Sequence, residues 1–166
     1  ISNIGLTNVN ITGKDSVGKL VGLAHSTHII NCYANSGTVT GNNNVGGLIG
    51  YLYGYASITN SYSKVDNITA TSNLPANFVQ IGGLVGLIEN STITDSFYDA
   101  TTSGQSDTGS WCSPSCKGTA KTTAEMKTKA TFTDTTTTGL STSWDFDTIW
   151  NIDNTSTING GYPYLR

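Results

Sequence analysis

The sequence predicts an all-β protein: a parallel β-solenoid, or three-sided β-helix, of about three to four coils with a C-terminal capping segment. Composition is the first observation behind this prediction. The 166 residues include 19 Gly and only 11% charged residues, and Ser, Thr and Asn are abundant. Such residues are poor helix formers. A disordered chain combines low hydrophobicity with high net charge, whereas 36% of these residues are hydrophobic and the net charge is −3.

An internal repeat is the second observation. A Gly-rich segment occurs three times, and each copy has two other segments of strand length near it. The copies are 17–24, 45–52 and 81–88 for the Gly-rich segment, 29–33, 58–62 and 93–97 for the second, and 9–13, 37–41 and 67–71 for the third. Repeats of about 20 to 50 residues are typical of solenoids, propellers and arrays. Because hairpin dipeptides are absent between these segments, stacking of equivalent parallel strands is favoured over a propeller.

The repeat also resembles a known family. The residues Val-Gly-Gly-Leu-Ile-Gly at 45–50 and Ile-Gly-Gly-Leu-Val-Gly at 81–86 are similar to the GLUG repeat of bacterial and archaeal surface proteins. The first copy departs from this pattern, since Lys19 replaces the second Gly. The tail, ending in Gly-Tyr-Pro-Tyr-Leu-Arg at 161–166, resembles the segment that commonly follows such repeats. The resemblance implies a cell-surface or secreted β-solenoid, often one piece of a large adhesin-like protein.

The composition divides the chain into two parts. Residues 1–103 hold the repeats, and residues 104–166 hold all three Trp residues and two of the three Cys residues. One short helix is expected at 122–130, with Thr122 or Thr123 as its N-cap. The second part is expected to cover the last open coil, because terminal repeats need a cover to stay soluble. The covering side chains are expected to be Trp144, Phe146, Ile149 and Trp150, supported by Ile158, Tyr162 and Leu165.

The N-terminal end shows no comparable cover. Five apolar residues there already follow a rung-like pattern: Ile1, Ile4, Leu6, Val9 and Ile11. One expectation is that upstream residues of a longer protein, or residues 1–10 themselves, cover this end. The other is head-to-tail stacking on a further subunit, which builds a filament when the contact does not close into a ring. The first residue is not Met, which fits either a removed leader or a segment of a longer chain.

The cysteines predict two environments. Cys112 and Cys116 flank a Ser-Pro-Ser loop and are expected to form a local disulfide in an oxidising compartment. Cys32 occupies the repeat position of Ser61 and Ser96, so we expect a small buried thiol there.

No cofactor or metal is predicted. The two histidines, His25 and His28, are expected to be solvated residues at a corner. Three carboxylates have a spacing that does not match a calcium loop: Asp145, Asp147 and Asp153. Four asparagines lie in N-glycosylation sequons and are predicted acceptors if the source organism glycosylates asparagine: Asn10, Asn67, Asn90 and Asn154.

Three alternating tyrosines form a candidate binding row. Tyr51, Tyr53 and Tyr55 point to one face if the strand continues through Gly54. Exposed aromatic rings offer a large contact area with a polar tip, so such a row can bind sugars or protein partners. If Gly54 ends the strand instead, the rings pack around a corner.

The sequence favours a non-enzymatic extracellular structural module, as part of a surface protein or a filament subunit that self-associates. The alternative is a glycan- or host-surface-binding adhesin module of a larger secreted protein. A single Arg and a negative net charge argue against nucleic-acid binding, and no apolar run approaches the roughly 20 residues needed for membrane insertion. Facing carboxylates and a Gly-x-Ser-x-Gly nucleophile motif are missing, so no catalytic residue is predicted. Ice binding through Thr ladders is disfavoured, because residues 67–71 fall out of phase.

Overall fold

The structure, a computed structural model, describes residues 1–72, 79–105 and 118–166. It confirms the parallel β-solenoid. The first coil contains β1 (Gly5–Thr7), β2 (Ile11–Thr12), β3 (Asp15–Gly18), β4 (Val21–His25) and β5 (His28–Ile30). The second contains β6 (Tyr33–Asn35), β7 (Thr38–Gly41), β8 (Asn43–Gly46), β9 (Ile49–Tyr53) and β10 (Ser57–Thr59). The third contains β11 (Tyr62–Lys64), β12 (Asn67–Ala70), β13 (Ile81–Gly82), β14 (Val85–Glu89) and β15 (Thr92–Thr94).

Equivalent strands stack into five parallel ladders along the solenoid axis. Ladder 1 is β1-β6-β11 extended by β16 (Phe97–Asp99) and β17 (Thr119–Lys121); ladder 2 is β2-β7-β12, ladder 3 is β3-β8-β13, ladder 4 is β4-β9-β14 and ladder 5 is β5-β10-β15. The repeat predicted three strand segments per coil, and the structure divides each coil into five short strands. Ladder 1 also continues past residue 103, the boundary predicted for the repeat part.

The corners between ladders explain the abundance of Asn and Ser. The corner before ladder 1 has a left-handed residue in every coil: Asn3, Asn31, Asn60 and Asp95, with φ between 48° and 55°. Asn and Asp tolerate this conformation better than other non-glycine residues. Ser36 is left-handed at the next corner of the second coil, and Asn44 is left-handed inside β8. Many of the small polar residues are therefore selected by local backbone geometry.

The Gly-rich segment marks the place where neighbouring coils come closest. A Cβ at Gly46 would lie 2.0 Å from the Ile49 carbonyl oxygen and 2.5 Å from the Gly86 nitrogen. A Cβ at Gly50 would lie 2.3 Å from the Ser16 carbonyl carbon of the first coil. Backbone atoms cannot move away cheaply, so these two positions require Gly.

The inner core is a stack of small and aliphatic side chains. Fully buried members include Ile29 and Ile58 of ladder 5, and Ile49 of ladder 4. At the far end Tyr98, which alternates with Phe97 on β16, turns inward and is completely buried in this core. A short helix α1 (Ala100–Ser103) follows, with Asp99 as its N-cap. Tyr98 and Ala100 thus lie over the last coil, in the place where the sequence analysis put the C-terminal aromatics.

Residues 122–166, which we call the flank segment, lie along the side of the solenoid against ladder 1. The segment contains α2 (Thr123–Met126), α3 (Ala130–Thr133), β18 (Trp150–Asn151), a 3₁₀ turn at Asn159–Gly161 and β19 (Tyr164–Leu165), which pairs antiparallel with β18. Thr122 and Glu125 form a capping box at α2, so the N-cap is one of the two predicted residues. The chain forms two short helices here, where one helix was expected. None of the helices in the described ranges is long and apolar enough to cross a membrane.

Candidate functional surfaces

The outer face of ladder 1 carries an aromatic column that the flank segment covers. Tyr33, Tyr62 and Phe97 occupy equivalent positions in consecutive coils, and the Tyr33 and Tyr62 rings stack with centroids 5.2 Å apart. Trp150 lies 6.0 Å from Tyr33 and 6.2 Å from Tyr62, measured between ring centroids. Trp144 lies 6.0 Å from Phe97 in the same measure. The predicted aromatic cluster therefore exists, but it covers the side of the solenoid, where it packs on the aromatic column of ladder 1.

Hydrogen bonds anchor the flank segment at both ends of this column. The Tyr62 hydroxyl donates to the Pro163 carbonyl at 2.7 Å, and the Asn35 amide donates to the Asn159 carbonyl at 3.0 Å. Near the last coil, the Trp144 indole N–H donates to the Asp95 carbonyl at 2.9 Å.

A buried carboxylate provides a third anchor. Asp99 accepts from the Tyr162 hydroxyl at 2.6 Å and from the Thr123 hydroxyl at 2.8 Å. Burial raises the pKa of Tyr162 well above its usual range, and the hydrogen bond to Asp99 is the second cause of this increase. The flank segment and the solenoid therefore share one core.

The first coil presents an open strand edge. Strands β1 to β4 each pair on one side only among the described residues. Residues 1–3 cover β5 through a parallel bridge between Ser2 and Ile30. Of the five residues predicted for this end, Ile1 is 48% exposed and Ile4 is 39% exposed. The other three, Leu6, Val9 and Ile11, are half-buried. The edge thus combines unpaired strands with accessible apolar side chains.

Lys19 fills the core of the first coil. It stands where the other Gly-rich copies have Gly47 and Gly83, and it is only 5% exposed. Its ammonium group donates to the Ser36 carbonyl of the second coil. Burial lowers the pKa of this group from its usual 10.5 to about 8, with Asp66 acting in the opposite direction. The buried side chain carries its charge to the corner at Ser36, where Asp66 and Lys64 act on it, and this charge makes the first coil different from the other two.

Ladder 4 presents the exposed tyrosines. Tyr51 and Tyr53 share the outer face of β9, and their rings stack with centroids 4.9 Å apart. His25 of the first coil packs against Tyr53 with the ring centroids 4.5 Å apart and the rings tilted by 40°, and the Tyr51 hydroxyl donates to Glu89 of the third coil at 2.6 Å. This hydrogen bond is the main cause that raises the pKa of Tyr51 to about 12. The surface also includes side chains from the neighbouring coils. These are His25 and Leu23 of the first coil, of which Leu23 is 51% exposed, and Glu89 of the third coil. Sequence reasoning missed them because only the ladder register reveals the neighbours.

Tyr55 lies apart from the other two tyrosines. The strand ends at Tyr53, and Gly54 and Tyr55 are both left-handed with φ of 67°. The second coil has one residue more at this corner than the first and third coils, which place Ser26 and Asn90 there. Tyr55 is 85% exposed. A left-handed aromatic residue costs about 1 kcal/mol or more, and this one gains no burial in return.

The remaining predicted sites differ in their exposure to solvent. The four sequon asparagines, Asn10, Asn67, Asn90 and Asn154, are all exposed. Cys32 is fully buried and its thiol donates to the Ile30 carbonyl at 3.3 Å. Cys112 and Cys116 lie outside the described residues. Within the described ranges no group of three or more His, Cys, Asp or Glu is placed to hold a metal ion.

Comparison with known proteins agrees with the repeat. The GLUG motif family matches residues 41–69, which begin at the end of β7 and run through most of β12, so the resemblance to GLUG repeats is confirmed. A Gly-rich membrane protein of Evansella cellulosilytica is 40% identical over 114 residues, which cover 66% of this chain and 11% of the relative. Halomucin of Haloquadratum walsbyi is 38% identical over 66 residues, which cover 40% of this chain and 1% of halomucin. No solved structure matches the chain. The chain thus carries a GLUG motif and resembles a small part of two much longer proteins.

Proposed function

We propose that this GLUG-motif chain is a non-enzymatic structural module of an extracellular surface protein, and that its first coil binds a further β-coil head-to-tail. The observation that carries the proposal is the open edge formed by β1 to β4 beside Ile1 and Ile4. The names of the two relatives, a membrane protein and halomucin, support a location at the cell surface.

Stacking of a further coil satisfies two requirements of this edge. Its free N–H and C=O groups gain parallel-strand partners at a spacing of about 4.8 Å, and the apolar side chains beside them leave water. Tyr98 lies over the apolar core of the last coil, but its strand β16 belongs to ladder 1. In ladders 2 to 5 the strands β12 to β15 therefore form the opposite edge among the described residues. The two edges face in opposite directions along the axis, so repeated contacts extend a rod and do not close a ring.

The proposal predicts that the isolated chain self-associates through Ile4. In Ile4→Lys a charge lies beside the unpaired strands, a device that natural sheet edges use against pairing. We expect the wild-type mass measured by light scattering to rise with protein concentration, and the association of Ile4→Lys to be at least about tenfold weaker.

Tyr55→Lys is the matched control, because Tyr55 is 85% exposed at a corner of the second coil and lies outside the edge strands β1 to β4. Its association should equal that of the wild type. A wild-type chain that stays monomeric at high concentration, or equal loss in both variants, contradicts stacking through the first coil.

A second candidate function, adhesive binding of glycans or a host surface, is favoured by Tyr55. An inserted, left-handed and highly exposed aromatic residue has no packing role, which makes it a candidate contact residue. A glycan panel read by tyrosine fluorescence tests this role. A hit that is lost in Tyr55→Ala and in the Tyr51→Ala/Tyr53→Ala double variant supports it, and a hit that persists in both variants excludes the tyrosine row as the binding surface.

A further inference from the structure

A groove separates the flank segment from the first two coils. Its volume is about 660 Å³, within the range of about 300 to 1,000 Å³ that is usual for small-ligand sites. The floor is the outward column of ladder 1 beside the aromatic column, in which Thr7, Asn35 and Lys64 follow one another in register. Tyr162, Tyr164 and Leu165 of the flank segment form the opposite wall. The groove lies on the side of the solenoid and is distinct from the tyrosine face of ladder 4.

The charges around the groove are unusual for an acidic chain. Both charged side chains that line it are lysines, Lys64 and Lys127, and none of its lining residues is Asp or Glu. Lys64 pairs with Asp66 at the rim. The Lys19 ammonium binds the carbonyl of Ser36, which also lines the groove. Lys19 and Lys64 act on Asp66, and the Lys127 ammonium lies over the Tyr162 ring. The second nearby carboxylate, Asp99, is already bonded to the Tyr162 and Thr123 hydroxyls. Three ammonium groups therefore face two carboxylates, and the groove favours an anion.

The neutral part of the lining favours a ligand with many hydroxyl groups. Hydroxyl and amide side chains of Thr7, Asn8, Asn35 and Ser36 lie along the floor, and consecutive coils repeat them about every 4.8 Å. The Thr102 hydroxyl is buried beside the groove and has no hydrogen-bond partner in the described structure. This hydroxyl is closed off from solvent, so it is an unsatisfied group in the wall and not itself a contact for a ligand in the groove.

The cationic groups in this lining are lysines, which pair with an anion as point charges without the planar fork of Arg. The choice between a carboxylate and a phosphate ligand therefore rests on the neutral part of the lining. The two lysines lie among amides, hydroxyls and the ring of Tyr164, which can contact the C–H face of a sugar. We propose that this groove binds a short carboxylated oligosaccharide, whose carboxylates pair with Lys64 and Lys127 and whose hydroxyls bond to the polar column of ladder 1.

Trigalacturonate is the probe, with maltotriose as its neutral counterpart of equal length. Binding is measured by Trp fluorescence, since Trp150 lies within 6.2 Å of the tyrosine rings next to the groove, and by isothermal titration calorimetry. We expect trigalacturonate to bind at least about tenfold tighter than maltotriose, with an affinity that falls as salt rises. No binding of trigalacturonate, or equal affinity for both sugars, overturns the proposal.

Variants locate the site. Lys64→Gln/Lys127→Gln removes both charges and should weaken trigalacturonate binding at least about tenfold, while Lys14→Gln, an exposed lysine elsewhere on the first coil, should leave it within about twofold. Thr7→Trp keeps both lysines and fills the groove from its exposed floor, so it should also abolish binding. Unchanged affinity in Thr7→Trp, or equal loss in Lys14→Gln, overturns the proposal, and thermal melting confirms that each variant is folded.

The groove does not depend on coil stacking. The same titration in Ile4→Lys should give the wild-type affinity, and Tyr55→Ala should do the same. Loss of binding in either variant overturns the groove as the site, whereas loss of self-association alone concerns only the proposed structural role.

Discussion

Two sides of the solenoid carry tyrosines on their outer faces, and the tyrosines are buried on one side and accessible on the other. On ladder 1 the column of Tyr33, Tyr62 and Phe97 is buried under the flank segment. On ladder 4, Tyr51 and Tyr53 stack on each other but remain half-exposed. The strands have the same geometry, so the strand itself does not decide which aromatics are structural. A second chain segment decides, and the side it leaves uncovered is available for contacts.

The two sides also differ in how their polar atoms are satisfied. Tyr62 is bonded to the Pro163 carbonyl and the Asn159 amide inside a closed contact. Tyr51 is bonded to Glu89, a carboxylate that water still reaches. Removing a group from the first side leaves a cavity and unpaired atoms, whereas water repairs the second side.

The largest expected effect is therefore on the covered side. Trp150→Ala removes a fully buried ring that contacts Tyr33, Tyr62 and Trp144, and it should lower the free energy of unfolding by about 3–5 kcal/mol. Tyr53→Ala, the matched change on ladder 4, should cost about 1 kcal/mol. Urea denaturation followed by circular dichroism measures both. Similar losses of unfolding free energy in the two variants would show that packing of the flank segment on ladder 1 is not a major source of stability.

A smaller effect is expected from Lys19, which interrupts the apolar core on one coil only. Lys19→Met keeps the stem and removes the buried charge, so it should stabilise the protein by about 1–3 kcal/mol at pH 7. The folded-state pKa of about 8 lies below the usual 10.5, so the unfolded state binds more protons between these values. Wild-type stability should therefore rise relative to the variant from pH 8 to pH 10.5. Denaturation at several pH values measures this, and a constant difference would contradict a buried ammonium.

The smallest effect concerns the exposed side. The bond to Glu89 raises the pKa of Tyr51 to about 12, above the unfolded value of about 10. The bond therefore stabilises the folded state below pH 10, and this contribution is lost as the pH rises towards 12. Glu89→Gln removes the carboxylate and should move the pKa of Tyr51 back towards 10. Ultraviolet titration against Tyr51→Phe isolates this group, and an unchanged titration curve in Glu89→Gln would exclude the bond.

The sequence is sufficient to predict the solenoid, but not which of its sides is covered by the flank segment. Copies of a Gly-rich segment specify stacking, because positions such as Gly46 tolerate no Cβ between neighbouring coils. The five-strand division depends on left-handed corners. The corner at Asn31 recurs in every coil as Asn or Asp, but it lies inside a segment that the repeat predicts as one continuous strand. The position of the flank segment could not be predicted, since Trp150 contacts Tyr33 across a long stretch of chain and no periodicity records that contact.

The candidate surfaces divide in the same way. The tyrosines of ladder 4 and the apolar residues of the first coil were visible as local patterns. The groove was not, because Lys64 and Lys127 come from different parts of the fold and only their common lining of one cleft reveals them. Tyr55 was predicted to extend the row only if the strand continued through Gly54; the strand ends at Tyr53, and the extra residue at this corner turns Tyr55 away.

The most direct test of the covered and uncovered sides is nitration of tyrosines in the folded protein, mapped by mass spectrometry. The account predicts rapid modification of Tyr51, Tyr53 and Tyr55, and protection of Tyr33 and Tyr62 until the protein unfolds. Deletion of the flank segment should expose Tyr33 and Tyr62 and leave the rates at Tyr51 and Tyr53 unchanged. Rapid nitration of Tyr33 or Tyr62 in the intact folded chain would contradict the covered aromatic column.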